Sequence, residues 1–228
     1  MPDNRSDQLM TIHRRLFHCF GQPGPYLMLD PVSQLVMGLV GGRTRGDVSS
    51  AAFLRLARRF SGWEDLRDAS VTEIRTIIAD VTFSELKAPR LKAALQAVTA
   101  SQSTLTLDFL AELSVSSGLC WLERLPGVGR KTAATVLNFS TLRRRALVVD
   151  THNLRVFQRL GLVRPQDGAI EVYETLVPLL PHDWQARDFD DHHQLVKMLG
   201  QRLCRPTSPV CSVCPLRDLC RYGTAQLD

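Results

Sequence analysis

No stretch of this chain approaches the ~18 apolar residues needed to cross a bilayer. Its opening, MPDNRSDQLM, carries acids and no apolar run of leader length, so the expected location is inside the cell. Period-two strand patterning is weak throughout, which leaves little basis for a sheet. Internal repeats and low-complexity segments are absent. Of the six cysteines, Cys19 and Cys120 lie far upstream in apolar or mixed sequence with no obvious mate. The set therefore does not form the disulfide framework of a small secreted domain, and these two are expected to be buried free thiols. The net charge of +5 is compatible with a polyanionic partner, although many basic proteins bind nothing specific.

With 228 residues, 44% hydrophobic and 22% charged, the chain has enough apolar material for one substantial core or two smaller ones sharing an interface. Apolar residues recur at three- and four-residue spacings in segment after segment, which predicts an all-α protein. The expected helices run over 7–19, 31–40, 49–60, 71–80, 88–101, 105–115, 119–123, 130–139, 151–160, 169–180 and 190–203, with Gly and Pro at many of the breaks. The basic run Arg143, Arg144, Arg145, followed by Ala146 to Val149, is the best crossing point between two lobes. That run is otherwise a solvated basic turn or a phosphate contact.

Three constellations carry chemistry. Cys204, Cys211, Cys214 and Cys220 are spaced C-x6-C-x2-C-x5-C, and four thiolates complete a coordination shell for either zinc or an iron-sulfur cluster. In LPGVGRKTA, a proline and two glycines separate a short helix from a longer one. The segment is either a plain connector or a phosphate cradle built from Pro126, Gly127, Val128, Gly129 and Arg130, where orphan N–H groups and the helix dipole act together. Lys131 follows in the first turn, where the dipole and adjacent Arg130 disfavour its ammonium form. A lysine at its ordinary pKa of about 10.4 is neutral in roughly one copy per thousand near pH 7.4, a cost of about 4 kcal/mol to a nucleophile; a cationic neighbourhood lowers that cost. Asp150, nineteen residues on, stands between an apolar run and an amphipathic helix, the position of an N-cap.

Taken together, LPGVGRKTA with Lys131, VDTH with Asp150, DHHQLVKMLGQRLC and the cysteine tail resemble the endonuclease III branch of the helix-hairpin-helix DNA glycosylases, over about the last half of the chain. The resemblance implies a two-lobed all-α fold: a six-helix barrel with the hairpin, expected over 32–144, and an iron-sulfur domain from 1–31 and 145–228 with its cluster loop at 204–220. It implies a [4Fe-4S] cluster on the four tail cysteines and bent duplex DNA lying between the lobes with the damaged nucleotide flipped out. It also implies attack on the sugar C1′ by Lys131, assisted by the Asp150 carboxylate. In adenine-specific relatives a serine takes the lysine position, so Lys131 favours the bifunctional version.

The first half departs from the family pattern. Relatives carry a glutamine-bearing Ser-Ala-Gln-x-Thr-Asp-like loop that helps fill the hole left by the flipped base, whereas GGRTRGD here has none, leaving Arg43, Thr44 or Arg45 for that space. In VTFSELKAPR, Phe83 falls near an intercalating position just before a Lys-Ala pair, with core packing as the alternative. Residues 104–117 are inserted or remodelled. Asp190, Asp191, His192 and His193 are expected to cap and pack a helix start rather than form a second metal site, and His152 is a cleft or surface residue. The expected protein is a base-excision repair glycosylase with abasic-site lyase activity on damaged, oxidised pyrimidines in double-stranded DNA, monomeric, cytoplasmic and nucleoid-associated. Alternatives are a glycosylase for methylated or mismatched bases, a catalytically silent DNA-binding relative and, from a different class, an iron-sulfur electron carrier.

Overall fold

The computed structural model describes residues 4–24 and 27–225, so the first three residues of the opening segment lie outside it. Among the described residues no strand forms, and the single β contact is an isolated parallel bridge between Leu29 and Ser140. No helix among them is long and apolar enough to cross a membrane. The chain separates into two compact units, one of residues 27–146 and one in which residues 1–26 join 147–228.

The 27–146 unit is organised around helix α2 (Pro31–Gly41) and helix α8 (Arg130–Phe139). Asp30 starts α2 by accepting the Ser33 N–H at 2.9 Å, and Pro31 supplies a preset φ in the first turn. Because Val32, Leu35, Val36, Leu39 and Val40 are all buried, α2 is apolar on most of its circumference and sits inside the unit. It packs closely on α8: a Cβ added to Gly38 would lie 2.8 Å from Thr132 Cγ2. Around this pair lie α3 (Gly46–Arg59), α4 (Trp63–Asp68), α5 (Val71–Ile77), α6 (Ser84–Gln102) and α7 (Val115–Glu123).

In the other unit, α1 (Asn4–Phe20) places Leu9, Ile12 and Leu16 on one face, all fully buried. Helices α9 (Thr151–Leu160), α10 (Ala169–Leu176), α11 (Ala186–Arg202) and a final turn, α12 (Arg221–Thr224), complete it. α9 and α11 meet at Gly200, where a Cβ would lie 2.8 Å from His152 Cβ.

Several expectations fail. Residues 105–115 do not form a helix: Asp108–Ala111 is a short 3-10 turn, held from outside by Arg144, whose guanidinium donates to the carbonyls of Leu110, Ala111 and, at 2.7 Å, Leu113. Of the Arg143–Arg145 run only Arg145 is exposed as a solvated turn requires, since Arg143 also donates to the Asn138 carbonyl at 3.1 Å. α4 was not foreseen. α11 begins at Ala186, a turn before the expected start, with Asp188 accepting from the Gln185 N–H at 2.7 Å. Asp190 to His193 therefore cap nothing; all four are buried and pack within the helix body. Cys19 and Cys120 are exposed rather than buried.

Candidate functional site

Each unit presents its own set of chemically active residues. In the 27–146 unit, α7 and α8 are joined by the turn Arg124–Gly129. Val128 N–H donates to the Leu125 carbonyl at 3.1 Å, and Gly127 takes φ +81°, where a side chain is strained. A Cβ at Gly127 would also lie 3.1 Å from Arg90 Cδ and 3.3 Å from Leu39 Cδ2, so glycine is required there for space as well. Gly129 is the N-cap of α8, exposed, and a Cβ there would meet nothing within 4 Å. The turn thus brings the positive end of the α8 dipole to an open surface, the arrangement that holds a phosphate. Val128 is buried beneath it and Pro126 is half-buried.

Lys131 is half-buried in the first turn of α8, and its carbonyl accepts from Thr135 Oγ1 at 2.7 Å. The cation expected to act on it from Arg130 is compensated: the Arg130 Nε donates to Glu123 Oε1 at 2.6 Å, in an ion pair that is largely shielded from solvent. A different cation stands near Lys131. Burial, and then the charge of Lys131, push the Lys87 ammonium down to about 8. Lys87 had no assigned role in the sequence reading; its place in a Lys-Ala pair before a predicted helix was the only signal.

The GGRTRGD segment closes α2 and opens α3. Its three candidate residues part company: Thr44 Oγ1 accepts from Lys87 Nζ at 3.0 Å, Arg45 forks onto Asp47 at 2.7 and 3.2 Å, and Arg43 is exposed with φ +55°. Phe83 is the N-cap of α6, also left-handed at φ +61°, and is 45% exposed, which removes the core-packing alternative.

In the other unit, Asp150 caps α9. Its Oδ1 accepts from His152 N–H at 2.8 Å and Asn153 N–H at 2.9 Å, and Asn153 Oδ1 returns a bond to the Asp150 N–H at 3.2 Å. The cap is fastened from behind, since Asn153 Nδ2 donates to the His193 carbonyl and His193 Nδ1 pairs with the Val148 carbonyl. Burial by itself raises the Asp150 carboxyl, but His193, the Asn153 N–H, His152 and Lys197 together hold it below the usual carboxylate value, so it is an anion at neutral pH. His152 is half-buried, its Nδ1 3.2 Å from Arg155 Nη2. Fully buried His192 stacks on Phe157 and lies 3.3 Å from His13 through the two Nδ1 atoms; burial, then His13 and His193, push it down to about 3.

The tail cysteines line one small cavity together with Leu203, Val210, Arg217, Tyr222 and Gly223. Arg159 holds its wall: the guanidinium donates to Cys204 Sγ at 3.3 Å and to the carbonyls of Arg205 and Pro206, and lies 4.5 Å from the Tyr222 ring centroid. Cys220 Sγ accepts the Gly223 N–H at 3.3 Å. Burial raises the Cys214 and Cys220 thiols, and the neighbouring cysteines add to it. Among the described residues no three His, Cys, Asp or Glu side chains converge on a single metal-ion position. Arg217 lines the same cavity, and Arg221 packs over Gly161.

The chain is similar to known proteins. Over 103 residues it is 44% identical to endonuclease III of Bacillus subtilis, which covers 45% of this chain and 44% of that protein. To endonuclease III of Thermotoga maritima it is 29% identical over 85% of this chain and 84% of the relative. The match to the Bacillus protein, like the 50% of endonuclease III from Rickettsia prowazekii, spans about half of the relative's length. Among solved structures, a trapped covalent intermediate of endonuclease III with DNA aligns over 98% of this chain and 99% of its own, with a TM-score of 0.80 at 24% identity, which establishes a shared all-α fold. Residues 36–182, a span that includes the hairpin, Lys131 and Asp150, match the family described as HhH-GPD superfamily base excision DNA repair protein. The chain belongs to the HhH-GPD superfamily of base excision DNA repair proteins.

Proposed function

We propose that the protein is a base-excision repair DNA glycosylase with abasic-site lyase activity, acting on a damaged base, an oxidised pyrimidine in the first instance, in double-stranded DNA. The observation that supports it most is a lysine, Lys131, in the first turn of the helix that follows the PGVG turn, in a chain of this superfamily. The turn binds a DNA phosphate through the α8 terminus, with Gly127 and Gly129 allowing close approach. As the bond between C1′ and the base breaks, the base leaves with the electron pair and takes up a proton, and the amine of Lys131 bonds to C1′. The sugar ring opens to an imine; C2′ then loses a proton and the C3′–O bond breaks, cutting the strand on the 3′ side. The anionic Asp150 stabilises the positive charge that develops on the sugar. His152 and the loops bearing Arg43 and Phe83 contact the DNA near the flipped nucleotide.

The tail residues fit the [4Fe-4S] cluster that the resemblance implies. Four thiols surround a cavity instead of converging on a point, as a polynuclear group requires and a single zinc ion does not. Arg217 Nε, of a residue lining the same cavity, is buried with no hydrogen-bond partner among the described residues, a donor suited to cluster sulfur. Cys204, Cys211, Cys214 and Cys220 would hold the group, whose contribution is to fasten the tail to α9 through Arg159. In this reading residues 1–31 and 145–228 form the iron-sulfur domain and 32–144 the hairpin domain of a cytoplasmic, nucleoid-associated monomer.

A different target base, methylated or mismatched, is favoured by one observation: the left-handed, exposed Arg43 in the loop where relatives carry a glutamine. Borohydride reduction in the presence of duplexes with a bare abasic site, thymine glycol, uracil, 5-methylcytosine or an alkylated purine tests both levels. A covalent adduct with the wild type that is absent from Lys131→Ala supports the lyase, and the lesion that yields it names the substrate. Equal trapping by the variant rejects Lys131 as the nucleophile. Binding without trapping on any duplex identifies a silent relative.

A further inference from the structure

One densely bonded side chain of the hairpin unit is Lys87. Its Nζ donates to the Val40 carbonyl at 2.7 Å, the Gly42 carbonyl at 2.5 Å and Thr44 Oγ1 at 3.0 Å, so all three ammonium protons have acceptors on the turn that follows α2. The last turn of α2 contains no basic residue, and Lys87 brings to its C-terminus, from another helix, the cation that the dipole favours. Along the chain, the Lys87 N–H donates to the Phe83 carbonyl at 2.9 Å. One residue thus joins two exposed, non-glycine residues whose backbone is held left-handed, Arg43 and Phe83. Its helix also touches the hairpin, since Arg90, one turn further along α6, packs against Gly127. The charged group acting on Lys87 from the elements packed around it is Lys131 of α8, and the turn contributes two carbonyls and a hydroxyl.

We propose that Lys87 is a positioning residue of the DNA site: it clamps the 40–44 turn to the start of α6, fixing Arg43 and Phe83 relative to one another, and its charge stands against the ammonium of Lys131. This role rests on the glycosylase–lyase reading for its consequence, though the clamp itself does not. Two like charges in one desolvated neighbourhood each favour the neutral form of the other, which is consistent with the low value of Lys87. With Arg130 paired to Glu123, the ammonium whose charge acts together with that of Lys131 is Lys87.

The test uses the full-length protein, with Lys87→Met and Lys87→Arg. Hydrogen exchange without DNA reads the clamp at the Thr44 amide, which donates to the Gly41 carbonyl at 3.1 Å. Lys87→Met is expected to speed its exchange roughly tenfold or more, as loss of a charged hydrogen bond implies, and Lys87→Arg to restore part of the protection. Borohydride trapping on abasic duplex against pH reads the charge: the midpoint moves to higher pH in Lys87→Met and stays near wild type in Lys87→Arg. A Lys87→Met protein that is folded, with wild-type exchange at Thr44 and a wild-type trapping midpoint, overturns the proposal. If the wild type itself traps nothing, the lyase reading fails while exchange at Thr44 still decides the clamp.

Discussion

Asp150 has an observed job, capping α9, and a proposed one, and one pair of substitutions separates them. Its Oδ1 accepts two N–H groups at the start of α9, and the same carboxylate is the anion proposed to face charge on the sugar. Asparagine is as good an N-cap as aspartate, whereas alanine there costs about 1 kcal/mol. For a protein of this size that is a fall in Tm of about 2–4 °C. Asp150→Asn also relieves the burial that disfavours the anion while giving up the attraction of His193, His152 and Lys197, two changes of opposite sign. Its Tm is therefore expected within a degree or two of wild type. Removing a preorganised electrostatic stabiliser costs roughly 10²–10³ in rate. Single-turnover base release on the preferred lesion duplex, alongside thermal melting, should thus show both variants slowed by about that factor but only Asp150→Ala melting lower. If Asp150→Asn releases base within about threefold of wild type, well short of that factor, Asp150 is a helix cap and nothing more.

Gly127→Ala places a methyl against Arg90 and Leu39 at a φ of +81°, so a loss of about 1–3 kcal/mol is expected, with weaker abasic-duplex binding; a wild-type melt and affinity would show the turn to be adaptable. Binding to abasic duplex should weaken at least tenfold between about 50 and 200 mM salt, since phosphate contacts dominate, and a flat response measured by fluorescence anisotropy would count against the hairpin as a phosphate cradle. Asp150 has a folded value below its unfolded one, so its charge contributes stability that is present above the unfolded value of about 3.9 and is lost as pH falls through the lower folded value. Chemical denaturation from pH 6 to 2.5 should accordingly show a smaller acid-dependent loss in Asp150→Asn than in wild type.

The helices that the sequence made legible are those whose start is local chemistry. Asp30 before Pro31, Asp150 before Thr151 and the PGVG turn before Arg130 each satisfy N–H groups or fix φ with residues adjacent in the chain. Residues 105–115 misled because apolar spacing there serves a short turn whose carbonyls are taken by Arg144, about thirty residues away. The expected start of α11 falls too late because Asp190 to His193 look like a polar helix start, whereas they are buried inside the unit, with Asp191 accepting from Gln22 at 2.6 Å and His193 paired with the Val148 carbonyl. In each case the deciding partner is distant in sequence.

The same distinction governs the candidate site. Lys131, Asp150 and the four cysteines were legible because each sits in a motif whose chemistry is contained within a few residues. The electrostatic neighbourhood of Lys131 was not. Sequence adjacency pointed to Arg130, but successive residues on a helix point about 100° apart, and Arg130 turns away to Glu123 on the preceding helix. Lys87, forty-four residues earlier, is the cation whose charge couples to Lys131, and it is held there by three oxygens of a third segment. The loop that departs most from the family's glutamine-bearing pattern is thereby tied to Lys131 through one ammonium. A change of lesion preference in that loop and a change in the reactivity of Lys131 are then linked physically, so substitutions at residues 42–44 should shift the pH dependence of trapping as well as the choice of base.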